Sequence, residues 1–176
     1  MSYPDIGNMK LVPKRGFPEI NDLCLDVSTV LNGNLHPRIK QQVLDGALWW
    51  VADYSGKGLD CPFRSERADQ FCESLEPGEE IKNLIHEHIV PKKLIREELM
   101  SLKTTVDANT VQRWLKLSVY CLVTKEVDDK DLNKSGFNQK MPDDNWKKQN
   151  ATPDEIWARY KASGIKVVDR RCGVSS

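Results

Sequence analysis

The chain has little that would advertise a standard chemistry. Only three of its 176 residues are histidine. No glycine-rich phosphate loop and no nucleophile elbow occur, which removes the common nucleotide-binding and serine-hydrolase signatures. Five cysteines (Cys24, Cys61, Cys72, Cys121, Cys172) contain no C-x-x-C pair, and their odd number speaks for free, buried thiols in a reducing, cytoplasmic setting. A zinc site from Cys61, Cys72 and a histidine is a weaker alternative, because the spacing matches no standard ribbon. No run approaches the ~18–20 apolar residues that cross a bilayer, and Met1–Arg15 lacks the apolar stretch of a secretory signal. Neither sign of charge is in excess: Lys+Arg and Asp+Glu are 26 each, which argues against coating nucleic acid by bulk electrostatics and leaves room for a local basic patch. There is no internal repeat and no low-complexity segment.

What is present reads as a mainly α fold with a small β component (α+β), in a single compact domain of five or six helices. Residues 1–35 read as an irregular N-terminal arm that packs through Leu23, Leu25 and Val27, followed by a mainly helical domain over 36–176. Ile39, Val43, Ala47 and Val51 recur every fourth residue, predicting a helix from Pro37 to about Tyr54, entered by His36-Pro37 and ended at Ser55-Gly56-Lys57-Gly58. Ser65 is a candidate cap for a helix burying Ala68, Phe71, Cys72 and Leu75, closed by Pro77-Gly78. Glu79 to Leu102 follows helical spacing and is broken near Val90 by Pro91.

Ala108 to Tyr120 reads as helix, while Val119–Thr124 is open to a short buried strand. A helix over Lys125–Lys134 carries a solvent face of Asp128, Asp129 and Asp131. Residues 140–151 are polar and read as a linker or mobile loop. Thr152-Pro153-Asp154-Glu155 spells a capping box with proline at the first helical position, and Ile165–Val168 resembles a strand. Trp49-Trp50 is expected to place one ring in the core and one at an interface. Arg170-Arg171-Cys172 is expected to fray.

The stretch with the most chemistry is His86-Glu87-His88-Ile89-Val90-Pro91, followed by the basic run Lys92-Lys93-Leu94-Ile95-Arg96. Histidine titrates near neutrality and is a common metal ligand. Geometry decides how the pair acts. On a helix, residues two apart do not share a face, so His86 and His88 could not hold one ion. On an extended segment they lie on one side with Glu87 opposite. By spacing, His88 also fits a helical stripe with Leu84, Ile85 and Ile89 as a partly buried core histidine.

Glu87-His88-Ile89-Val90-Pro91 resembles the acidic-His-aliphatic-aliphatic-Pro signature that opens the ββα-metal site of HNH-family endonucleases. The resemblance implies Glu87 as ligand to a divalent metal (Mg²⁺ or Mn²⁺) and His88 as the general base that activates water. His86 is a further candidate ligand. No histidine follows His88, so Asp107 or Asn109 would supply the second ligand. Lys92, Lys93, Arg96, Arg113 and Lys116 form the candidate phosphate-contacting set, with Trp114 nearby. Two functions follow: a small metal-dependent nuclease, or a non-enzymatic helical module that binds a protein partner, such as an immunity, antitoxin or anti-defence protein.

Overall fold

The structure, a computed structural model, describes residues 3–7, 9–76, 82–126 and 128–171. Its elements run α1 (Ile20–Asn32), α2 (Pro37–Tyr54), β1 (Phe63–Ser65), α3 (Glu66–Glu73), β2 (Leu84–His88), α4 (Lys92–Ser101), α5 (Ala108–Lys116), β3 (Tyr120–Thr124), α6 (Asp128–Lys134), α7 (Pro153–Ile156), α8 (Ala158–Ala162) and β4 (Val167–Asp169). Single 3₁₀ turns at Gly58–Asp60 and Asn145–Lys147 punctuate the loops. This is the α+β arrangement expected, with helices far outweighing strands.

The four strands lie in the order β2-β3-β1-β4. β3 pairs antiparallel with β2 and parallel with β1, and β4 closes the other side antiparallel to β1. The central position of β3 explains its uninterrupted apolar run, since a strand flanked on both sides buries both its faces. The main core joins α1, α2, α4 and α5 to one sheet face through Val27, Leu44, Leu48, Ile95, Leu115, Cys121 and Val123, and takes in Trp157 and Tyr160. A smaller cluster on the opposite face holds Ala52, Cys61, Ala68, Leu84, Tyr120 and Leu122.

Several local expectations are realised at their caps. His36 accepts from Arg38 N at 3.2 Å at the start of α2, and Ser65 caps α3 through Ala68 N at 3.0 Å. Thr152 and Glu155 form the full capping box. The differences are physical. Within the stretch read as an irregular arm, Ile20–Asn32 is helix: it buries Leu23, Cys24 and Val27, the i, i+1, i+4 pattern of a helical face, and leaves Leu25 56% exposed. The helical spacing read across 79–102 is strand for Leu84–His88, because β3 offers it a ladder of partners from Leu84↔Thr124 to His88↔Tyr120. Residues 77–81, where a helix was expected to close and the next to begin, lie outside the described residues, as does Cys172.

Asp128 is not on a solvent face. It is buried and accepts from Ser65 Oγ, Thr124 N (2.8 Å) and Thr124 Oγ1 (2.9 Å), tying β1 to the end of β3. Of Trp49-Trp50, Trp50 packs against the main core, half-buried and edge-on to Phe17, while Trp49 is 43% exposed beneath Lys57. The 140–151 segment is anchored by Trp146, which is buried edge-on against Trp114. Arg170 and Arg171 are fastened as well, Arg170 to Asp69 and Glu73, Arg171 to Asp169.

Candidate functional site

The histidines sit on β2, an edge strand, where alternation settles their geometry. His86 and His88 share the face of the smaller cluster, and Glu87 faces the main core. Both imidazoles lean on Tyr120 of β3, at ring-centroid distances of 5.3 Å for His86 and 4.8 Å for His88. His88 stands directly opposite Tyr120 in the ladder, and the neighbouring diagonal position is within reach of an aromatic ring.

Each imidazole is fixed by the backbone. His88 Nδ1 lies 2.6 Å from the carbonyl of Ser118. A carbonyl only accepts, so Nδ1 carries the proton and Nε2 presents a lone pair. Among the described residues Nε2 has no hydrogen-bond partner. Burial pushes the His88 pKa down to about 4, helped by the positive charges of Lys92 and Arg159 and opposed by the Ser118 bond and Asp53. His86 Nε2 accepts from Gly58 N–H at 2.7 Å, so its proton sits on Nδ1, and burial with the nearby Lys57 charge lowers its pKa too. At neutral pH both rings are uncharged. Burial raises the Tyr120 hydroxyl to about 12, leaving it protonated.

The surroundings carry charge. Asp53, buried at the end of α2, pairs with Lys57 at 2.8 Å and more loosely with Lys14 at 3.9 Å; its Oδ1 has no partner among the described residues. Lys57 in turn lies 4.8 Å over the exposed Trp49 ring. The loop that follows α2 therefore delivers the Lys57 cation and the Gly58 donor to His86.

Glu87 is occupied elsewhere. Its Oε1 accepts from Arg159 Nη2 at 2.6 Å. Arg159 is fully buried and also donates to the carbonyls of Ile89 (2.9 Å), Phe137 (2.9 Å), Asn138 (3.1 Å) and His88. The arginine thus clamps the end of β2 and the bend at Ile89-Val90 onto the 137–138 loop, and Glu87 neutralises it.

The other sequence candidates scatter. Asp107 caps α5 by accepting from Thr110 N at 2.7 Å. Asn109, Arg113 and Lys116 line a separate cavity. Arg96 makes a two-pronged pair with Asp45 at 2.9 and 2.7 Å, and Lys93 lies 3.8 Å from Glu97. Of the basic set, Lys92 is the member whose charge reaches His88. No group of three or more His, Cys, Asp or Glu side chains suited to a metal occurs among the described residues. With Glu87 held by Arg159 and Asp107 held at its cap, the donors that the resemblance implies do not fit a ready-made divalent site. The Cys61 and Cys72 thiols lie on another cavity, and burial pushes the Cys61 thiol up to about 11.

Sequence reasoning missed Ser118, Tyr120, Asp53, Lys57 and Arg159. The two-residue spacing of the histidines, read as strand, was the available signal for a shared face; nothing local marked their partners. Compared with known proteins, the chain matches no protein-family model, no curated protein and no solved structure.

Proposed function

We propose that the chain hydrolyses nucleic-acid phosphodiesters, with His88 as the proton acceptor. One observation carries this reading: an imidazole kept neutral, locked in a single tautomer by Ser118, with Nε2 left without a hydrogen-bond partner among the described residues. Nε2 takes a proton from water as the water oxygen bonds to phosphorus. The P–O bond to the leaving alkoxide then breaks, and that oxygen is protonated from solvent. A pKa near 4 makes a weak base in the free protein. The negative charge of an incoming phosphate raises it towards the operating pH. Lys92 supplies positive charge beside His88 and Lys57 beside His86, and Trp49, exposed under Lys57, offers an aromatic surface on which a base can stack.

The test is cleavage of supercoiled plasmid, single-stranded DNA and RNA in Mn²⁺, Mg²⁺ or EDTA by wild type and His88→Ala. The expected result is cutting that falls by about 10²–10⁴-fold in the variant. Equal cutting by the variant, or none by folded wild type on any substrate, contradicts the proposal. The metal arms report whether a divalent ion is brought in with substrate.

A second reading, a module that binds a protein partner, is favoured by the exposed apolar side chains Leu35, Ile39, Trp49 and Leu59. It gains weight if folded wild type cuts nothing.

A further inference from the structure

A cavity of about 300 Å³ opens between the N-terminal segment, α5 and the 146–156 stretch, away from β2. That volume lies at the lower end for small-molecule sites. Among the described residues its polar wall comprises Arg113, Lys116 and Lys148 with the side-chain amides of Asn109, Gln112 and Gln149, against the carboxylate of Asp5. Asp5 turns Oδ1 to its own backbone, accepting from Gly7 N at 2.8 Å. Lys148 is neutralised by Glu155 at 3.0 Å.

Arg113 and Lys116 are different. Among the described residues neither pairs with a carboxylate. Arg113 donates to the Lys147 carbonyl and lies 4.6 Å over the Trp114 ring, and burial lowers its pKa, the mark of a half-sunken cation without a counter-charge. Trp146, also on the wall, is buried. Ile6, Leu117 and Ile156 add an apolar side. Two cations without a carboxylate partner among the described residues, beside an apolar wall, call for an anion that carries an organic body.

We infer that this cavity binds a small phosphate monoester, its phosphate on Arg113 and Lys116 and its body against the apolar wall. The site is independent of the histidine reading.

Calorimetric titration of the full chain with adenosine monophosphate, adenosine and inorganic phosphate tests it, with Lys116→Glu, Lys116→Gln and the remote Lys134→Glu as variants. Lys134 lies exposed on α6, so its charge change should leave binding intact. The monophosphate should bind saturably and more tightly than phosphate, and the uncharged nucleoside should not bind. Lys116→Glu should weaken the monophosphate by about tenfold or more, and Lys116→Gln by less. If Lys116→Glu fails to fold, Lys116→Gln decides. No saturable monophosphate binding, equal binding of the nucleoside or of phosphate, or equal weakening by Lys134→Glu overturns the inference.

Discussion

Arg159 is charged and fully buried, and it spends its donors on Glu87 and four carbonyls at the junction of β2 with the 137–138 loop. Nothing in the sequence around position 159 marks this role, since arginine on a short helix ordinarily faces water. The Glu87-His88 pair was legible as chemistry-bearing, but the use of Glu87 was not, because its partner lies 72 positions away in sequence. Removing the carboxylate leaves a buried cation uncompensated, so Glu87→Ala should lower unfolding free energy by about 3 kcal/mol in urea titrations. Glu87→Gln keeps an acceptor for Arg159 and should cost clearly less. Equal stability of Glu87→Ala and wild type would mean that the pair does not hold the β2 terminus. Any activity assay on Glu87 variants therefore needs the glutamine form as well as the alanine.

Elements were legible where a local rule was sufficient. The amphipathic spacing of α2, the Ser65 cap of α3 and the Thr152–Glu155 box each depend on residues within one or two turns. They failed where a distant partner decides. Leu84, Ile85 and Ile89 satisfy helical spacing, yet Leu84–His88 is strand because β3 pairs with it. The loop after α2 shows how an element end serves the site. Gly56 adopts φ of 110°, and a Cβ there would lie 2.4 Å from the Asp60 carbonyl. Gly56→Ala should cost more than about 1 kcal/mol, read by thermal or urea unfolding. It should also displace the Gly58 donor from His86, which would then titrate at higher pH than in wild type. An unchanged His86 titration in that variant would show that the loop does not hold the ring.

At the scale of the whole molecule, residues far apart in sequence converge on one imidazole: Ser118 ahead of β3 fixes its tautomer, Tyr120 covers its face, and Arg159 with Lys92 biases its charge. The same burial links His88 to global stability. Its folded pKa, about 4, lies below the ordinary 6.5, so the unfolded chain binds the extra proton between those values. The contribution is full above pH 6.5 and is lost as pH falls towards 4, by up to about 3 kcal/mol for a shift of this size. The most direct measurement is an NMR titration of the imidazole nitrogens of His88, assigned by comparison with His88→Gln. The expected result is a proton on Nδ1, a bare Nε2 and a single titration well below 6.5, near 4. A ring protonated on Nε2, or one that titrates at its ordinary pKa, would contradict it.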